Sequence, residues 1–141
     1  MLSKDITSAN AIVTTAGEYG STQFVQFSAD GAWSQDNYEF LEHRMGVDGH
    51  VAVGFTPVEK EITFTFEANS PTLIWLSNMY ASMEKLRRPF YQSIVIRVPS
   101  IGRTYTLWNC YLTSFKLIPD GARTLEPVEA TFTFERVEAQ S

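Results

Sequence analysis

The stretch Glu61-Ile62-Thr63-Phe64-Thr65-Phe66-Glu67 decides the fold, because a near-identical stretch follows at Glu129-Ala130-Thr131-Phe132-Thr133-Phe134-Glu135. The two copies differ only at their second position. Side chains alternate between the two faces of a β-strand, so each copy presents phenylalanines on one face and threonines and glutamates on the other. The repeat therefore predicts two strands that bury their phenylalanines in a hydrophobic core.

The polar face of the repeated strands is uncharged at its centre and acidic at its ends. Its residues are Glu61, Thr63, Thr65, Glu67, Glu129, Thr131, Thr133 and Glu135. General acid–base catalysis needs a carboxyl group whose pKa is raised in an apolar pocket, whereas carboxylates at strand ends beside threonines are usually solvated. We interpret this face as a wall and not as an active site.

Composition narrows the class of protein further. The chain has 141 residues, 44% of them hydrophobic, which is enough for one domain with a real core, and we expect residues 1–141 to form a single domain. The net charge of −5 argues against tight wrapping of nucleic acid, which needs Lys and Arg to replace phosphate counterions. It still permits a surface past which DNA slides without sticking.

Two further features bear on location and redox chemistry. The longest apolar windows, such as residues 73–76, are far below the roughly 20 residues of a membrane span, so we expect no membrane insertion by this chain. The single cysteine, Cys110, cannot form an internal disulfide and is expected to be a small buried hydrophobe.

Most of the chain alternates with period two, and one segment has a helical period instead. Ser70 is a good N-cap, Pro71 suits the first helical position, and Pro89 stops the helix. Apolar residues recur at spacings of three and four from Leu73 to Leu86, namely Leu73, Leu76, Met79, Tyr80, Met83 and Leu86. We predict a mainly β protein, a β-sandwich or barrel-like domain, with one packed α-helix over about residues 71–87.

Three local predictions accompany this fold. The β run from Arg103 to Ile118 is long enough to bend or carry a bulge. The run from Val128 to Val137 is predicted to close the chain as one strand. Ala29-Asp30-Gly31 predicts a tight turn.

A hairpin is predicted around Asp48-Gly49, because both residues tolerate positive φ. Its strands span residues 38–47 and 50–56. His43, Asp48 and His50 could in principle hold a metal ion. However, a two-residue turn would pair Val47 with His50 and leave His43 several residues along its strand. We therefore favour polar interface residues and keep the metal site as an alternative.

Three motifs follow one another in a recognisable order. They are Met45-Gly46-Val47-Asp48-Gly49-His50-Val51, then Ile62-Thr63-Phe64-Thr65-Phe66, then Asn69-Ser70-Pro71-Thr72 opening a helix with Leu76-Ser77. This order resembles the tail-tube proteins of contractile-tailed bacteriophages, in which a Gly-x-Asp-Gly hairpin precedes a strand, a Ser-Pro-Thr helix start and a long C-terminal β region. The resemblance covers residues 45–137 well and the preceding segment only in general character.

The resemblance implies a β-sandwich that assembles into hexameric rings stacked as a tube inside a sheath. Tube proteins of R-type pyocins and of type VI secretion are similar in fold. The implied partners are further copies of the chain and the tail sheath, baseplate and tape-measure proteins, with DNA only transiently in the lumen. The implied location is the virion tail, assembled in the host cytoplasm. The family contributes no catalytic residue, and no cofactor or metal is expected.

Two surfaces receive roles on this hypothesis. A long hairpin is marginal alone in water, so we predict that it packs on a neighbouring subunit. The residues of this interface are Met45, Val47, Asp48, Gly49, His50, Val51, Val53 and Phe55. The polar faces of the repeated strands are predicted to lie in one sheet and to line the channel. The alternatives are another tail component, such as a baseplate ring or tail-completion protein, and an enzyme or small ligand- or metal-binding β-sandwich.

Overall fold

A computed structural model describes residues 10–29 and 31–140, so Asp30 of the predicted turn lies outside the described residues. The described chain is mainly β with one α-helix, as the sequence predicts. The strands are β1 Ile12–Gly17, β2 Gly20–Phe24, β3 Trp33–Ser34, β4 Leu41–Met45, β5 Val51–Phe55, β6 Lys60–Phe66, β7 Gln92–Val98, β8 Arg103–Phe115, β9 Val128–Phe134 and β10 Arg136–Gln140. The α-helix, α1, is Pro71–Leu86, and a short 3-10 helix is Pro99–Ile101.

The strands form an antiparallel sandwich whose two layers share β8. The order of paired strands is β2-β1-β7-β8-β9-β6-β3, and β10 pairs with β8. The first half of β8 lies between β7 and β10, and its second half pairs with β9. The described strands do not close on themselves, so the fold is a sandwich and not a barrel.

A bend carries β8 from one layer to the other, as its length predicts. Asn109 has a φ of 55°, a left-handed conformation that asparagine adopts more readily than most residues. The pairing with β7 shifts register between Leu107 and Cys110, and the pairing with β9 shifts between Leu112 and Ser114, as happens at β-bulges. The strand ends at Phe115, earlier than the predicted Ile118.

The last predicted strand, residues 128–137, is two strands, and the prediction of one continuous strand is wrong. Glu135 separates β9 from β10. Its N–H donates to the carbonyl oxygen of Trp108 at 3.1 Å, and its Oε2 accepts from Asn109 Nδ2 at 2.8 Å. The chain turns a corner here because it leaves its pairing with β6 in one layer and joins β8 in the other.

The two repeated stretches are neighbours in the sheet. β6 and β9 pair antiparallel with Thr63 directly opposite Thr131, and these two positions are equivalent in the repeat. A local two-fold axis therefore passes between them. The threonine Oγ1 atoms are 3.0 Å apart, within hydrogen-bonding distance. The polar faces of both copies consequently lie side by side on one sheet surface.

The phenylalanine faces of the repeat form the centre of the core. Phe64, Phe66 and Phe132 are each no more than 1% exposed. Phe24 reaches them from the other layer, with its ring centroid 5.4 Å from that of Phe64 and 6.0 Å from that of Phe132. Rings of this size contribute much of the stabilising burial in a small domain.

The helix α1 closes one end of the sandwich. It buries Leu73, Leu76 and Met79 in the core, whereas Tyr80 and Leu86 of the predicted apolar stripe are exposed. The buried residues are spaced by three, whereas one helical turn takes about 3.6 residues. The buried row therefore winds around the helix and does not coincide with positions spaced by four. Among the described residues, no helix is both long enough and apolar enough to cross a membrane.

Ser70 joins the start of the helix to Val25, the residue that follows β2, and this contact yields a prediction. Its Oγ accepts from the N–H of Thr72 at 3.3 Å and donates to the carbonyl oxygen of Val25 at 2.5 Å. We expect Ser70→Ala to lower the free energy of unfolding by about 1–2 kcal/mol, because the cap is lost. Urea denaturation measures this. Ser77→Ala is the control: its hydroxyl bonds only within the helix, to the Leu73 carbonyl oxygen, and its loss should be nearly neutral.

Candidate subunit interface and channel face

The hairpin of β4 and β5 stands apart from the sandwich. In the described chain these strands pair only with each other, with Leu41 opposite Phe55 and Met45 opposite Val51. All ten strand residues are exposed. The predicted hairpin therefore exists, and the isolated chain leaves both of its faces in water.

The turn of this hairpin has three residues, and the predicted two-residue turn is wrong. Gly46 N–H donates to the His50 carbonyl oxygen at 2.8 Å, so Gly46, not Val47, lies opposite His50. Gly49 has a φ of +85°, whereas Asp48 keeps a negative φ, and a two-residue type I′ turn would need both positive. Asp48 Oδ1 instead accepts from the N–H of His50 at 3.1 Å and closes the loop.

One face of the hairpin is almost wholly apolar. Alternation places on it the residues Leu41, His43, Met45, Val51, Val53 and Phe55, and their paired registers confirm the grouping. Met45 is 63% exposed, Phe55 is 73% exposed, and Val47 at the tip is completely exposed. Contiguous exposed apolar surface of this kind marks interaction sites in proteins. The predicted interface set begins at Met45, and the structure adds Leu41 and His43 to this face.

The hairpin does not assemble the three groups of the alternative metal site. His43 lies opposite Val53 on the strand, and the Asp48 carboxylate already accepts the turn hydrogen bond from His50 N–H. Among the described residues, no group of three or more His, Cys, Asp or Glu side chains is placed to hold a metal ion. The geometry favours a contact surface over a metal centre.

The polar face of β6 and β9 is a row of alternating hydroxyl and carboxylate groups. Glu61 lies opposite Thr133, and Thr65 lies opposite Glu129, symmetrically about the central threonine pair. The two glutamates are exposed and the threonines are half-buried. The neighbouring β8 extends the row, since the Oγ1 atoms of Thr113 and Thr133 are 3.0 Å apart. Hydroxyl groups thus link three adjacent strands across this face.

The last carboxylate of each repeat lies outside this row. β6 and β9 end at the phenylalanine that precedes it. Glu67 N–H donates to the Gln26 carbonyl oxygen at 2.9 Å in the connection to α1, and Glu135 occupies the corner before β10. The sequence repeat is therefore one residue longer than the strands, and Glu67 and Glu135 lie where the chain leaves them.

The pKa values that are shifted in the described chain are shifted by burial and by structural hydrogen bonds. Burial raises the pKa of the Cys110 thiol to about 12, and this side chain is 0% exposed, as predicted for a buried hydrophobe. A hydrogen bond with Tyr91 raises the pKa of Tyr111 to about 12. The Tyr91 N–H and the Arg88 guanidinium lower the pKa of Glu18. The thiol and the Tyr111 phenol therefore stay neutral at physiological pH.

A second exposed apolar group lies on the loop after β8 and was not predicted. Ile118 is 78% exposed and Leu125 is 59% exposed, and Leu117 and Ile74 of α1 are exposed nearby. Leu117 and Ile118 were assigned to the preceding strand. The turn signal at Pro119-Asp120-Gly121 predicts a strand that ends by Ile118, whereas β8 already ends at Phe115 and leaves Leu117 and Ile118 on the loop.

The fold is shared with components of contractile injection systems. A chain of the PVC sheath/tube terminator in the extended state has a TM-score of 0.68 and 16% identity, covering 100% of both chains. The anti-feeding prophage tube-terminating cap has a TM-score of 0.64 and 14% identity, covering 100% of this chain and 94% of that one. The PVC sheath-tube complex has a TM-score of 0.60 and 18% identity, with 97% and 92% covered.

Sequence comparison assigns the chain to a family. The sequence pattern of the tail fiber protein gp32 family matches residues 4–138, and the chain belongs to this family. No curated protein matches it. These findings agree with the sequence-based resemblance at the level of a structural protein related to contractile tails.

Proposed function

We propose that the whole chain, residues 1–141, is a single-domain tail protein that self-assembles into hexameric rings. The rings stack into the inner tube through which DNA is ejected. The observation that carries this proposal is the exposed apolar face of the β4–β5 hairpin on a fold shared with sheath-tube complexes. A protein that must bury such a face against another copy is built for assembly.

The hairpin supplies the contact between subunits. An apolar surface that protrudes from one place and packs at a different place on the next copy makes a heterologous contact, and such contacts form a ring when the rotation between copies closes. The strands β2 and β10 lie at edges of the described sheet. Their unpaired backbone groups offer a way to extend the sheet between subunits.

The row of threonines and glutamates on β6 and β9 forms the channel face in this proposal. Genome transit needs a wall that DNA phosphates do not bind. Lys and Arg on the wall would release counterions and retain DNA, whereas exposed Glu61 and Glu129 repel phosphates. Threonine hydroxyl groups keep the surface hydrated between the carboxylates.

The partners follow from this place in the particle. The outer surface of the tube contacts the sheath, its ends contact the baseplate, and its lumen holds the tape-measure protein before DNA passes. The protein acts in the virion tail after assembly in the host cytoplasm. Its work is structural, without catalysis or a cofactor.

A second candidate is a terminator or cap ring, or a related baseplate ring. The similarity to a sheath/tube terminator and to a tube-terminating cap favours it. Copy number separates the two roles. Quantitative mass spectrometry of purified particles should find a tube protein among the most abundant components, whereas a terminator contributes a single ring. A copy number equal to one ring per particle contradicts the tube role.

The hairpin turn gives a direct prediction for assembly. Gly49→Val forces a β-branched residue into a positive φ, so we expect a distorted tip, a nearly unchanged melting temperature and strongly reduced ring formation. Gly49→Asn is the matched control, because asparagine tolerates this conformation, and it should assemble normally. Electron microscopy and thermal melts measure both effects. A folded valine variant that polymerises like wild type shows that the tip makes no contact.

A further inference from the structure

The end of the sandwich opposite α1 contains an apolar cavity of about 660 Å³. Strand registers define the two ends: Phe66 and Val128 pair at the helix end, whereas Ile62 and Phe134 line the cavity at the other. Val98, where β7 finishes, lines the cavity as well. The core is therefore covered by α1 at one end and open at the other within the described chain.

We propose that this cavity receives the hairpin tip of a second copy of the chain. The inference rests on the proposed ring assembly and names the acceptor for the hairpin. The occupant is the three-residue loop at Val47 with Met45 and Val51, which pair with each other one position behind Gly46 and His50. The side chains that enter are those of Met45, Val47 and Val51, which are apolar, and most of the lining is apolar as well.

The two surfaces match in character and in size. The tip is a protruding apolar group whose side chains are 49% exposed at Val51 and more at Met45 and Val47. The cavity is a recess lined by large apolar side chains such as Trp33, Ile96 and Leu107. An apolar cavity of roughly 150 Å³ already accepts a benzene-sized group, so this one has room for several side chains of the tip.

The hairpin of the same chain is a poor occupant. The hairpin joins the sandwich through two connections at the rim of its own cavity. The first follows Ser34 and Gln35, which line the cavity, and the second leads into β6, which begins at Lys60. The return connection, residues 56–59, is short and contains a proline, and the observed strands point all of their residues into solvent. A hairpin tip that does not fold back onto the sandwich of its own chain is free to enter the cavity of a neighbouring chain.

The docking makes a heterologous contact, because the donor hairpin and the acceptor cavity are different surfaces of the same chain. The hairpin joins the sandwich at the end that contains the cavity, since Ser34 and Gln35 line the cavity and β6 begins at Lys60. A heterologous contact of this kind forms a ring when the rotation between successive copies closes.

Charge around the two surfaces favours the same pairing. The hairpin segment is acidic, since Asp36, Glu39, Glu42, Asp48 and Glu59 stand against Arg44. The acceptor side carries exposed Arg103, which pairs opposite the cavity residue Val98. Opposite charges at the rim of an interface steer association and fix its orientation.

Cross-linking between copies tests the contact. Met45→Cys protein is mixed with Ile101→Cys protein, assembled, and treated with a short bis-maleimide reagent; both positions are exposed, whereas the native Cys110 is buried. We expect mixed dimers from this pair. Met45→Cys with Ile74→Cys, on the outer side of α1, is the matched control and should give none. Each variant alone sets the background.

The outcomes separate this inference from the proposed function. Rings without a Met45–Ile101 cross-link above the control overturn the docking and leave ring assembly standing. Wild-type protein that forms no rings overturns both. A further variant carries Met45→Cys and Ile101→Cys on the same chain. A cross-link within its single chains shows that the hairpin fills its own cavity, which also overturns the docking.

A charge at the tip gives an independent measurement. Val47→Asp should abolish ring formation while circular dichroism stays native, because a carboxylate without the turn hydrogen bond that Asp48 makes with His50 N–H would have to enter a largely apolar cavity. Ile118→Asp is the control, since Ile118 is also an exposed apolar residue but lies far along the chain on the loop after β8. Val47→Asp rings as abundant as those of the control overturn the proposal.

Discussion

Leu76→Ala should lower the free energy of unfolding by about 2–5 kcal/mol, the range for buried leucines in well-packed cores. Leu76 is 0% exposed and lies in the middle of the face that α1 applies to the end of the sandwich. Truncation removes apolar burial and leaves a space that the surrounding sheets fill only partly. Urea denaturation of the purified variant measures the loss.

Ile74→Ala is the matched control for this substitution. Ile74 lies on the same helix but is 67% exposed, so its truncation should change the free energy of unfolding by less than about 0.5 kcal/mol. A large difference between the two variants establishes which face of α1 is packed. A loss at Leu76 as small as that at Ile74 contradicts the packing of the helix on the sandwich.

Lysines on the proposed channel face should make assembled tubes retain DNA. Thr65→Lys combined with Thr133→Lys is the most informative variant, because each new lysine stands opposite a glutamate, Glu129 or Glu61. Cross-strand pairs of opposite charge support the sheet, so the fold should persist. Lysines at Thr63 and Thr131 would stand opposite each other and repel, which makes those positions unsuitable.

The measurement is co-sedimentation of DNA with tubes across a range of salt concentrations, together with infectivity of particles built from the variant. Retention that falls steeply with added salt and a large loss of infectivity are the expected results, because retention by lysines depends on counterion release. Thr65→Gln with Thr133→Gln controls for side-chain length without charge and should deliver DNA normally. Lysine-variant particles as infectious as wild type show that these faces lie away from the lumen.

The sequence predicted those parts of the fold that depend on residues close together in the sequence. Alternation in the repeated strands placed Phe64 and Phe132 in the core, because the strand period needs no knowledge of partners. The serine cap and the proline at the start of α1 are equally local signals, and the helix begins where they predicted.

One error occurred where distant residues decide the structure, and the other where a local dipeptide permits two turn conformations. The corner at Glu135 depends on Trp108 and Asn109, which belong to another strand. The hairpin turn depended on whether Asp48 adopted a positive φ or used its carboxylate to close the loop, and the dipeptide alone permits both.

The candidate surfaces divide in the same way. Alternation near Asp48-Gly49 indicated an apolar hairpin face, but only the structure shows that the described chain leaves this face uncovered. The cavity is lined by residues from β3, β6, β7, β8, β9 and β10, so no continuous stretch of sequence predicts it. Pairing of the two repeats is likewise a long-range contact, and their polar surface becomes continuous only in the folded sheet.

Negative-stain electron microscopy of the concentrated, purified protein tests the central claim most directly. The account predicts ring-shaped particles with sixfold symmetry that stack into hollow cylinders. Sedimentation of the same sample should show a species far larger than the 15.9 kDa chain. A protein that stays strictly monomeric at high concentration, and is absent from the tubes of assembled tails, would contradict the account.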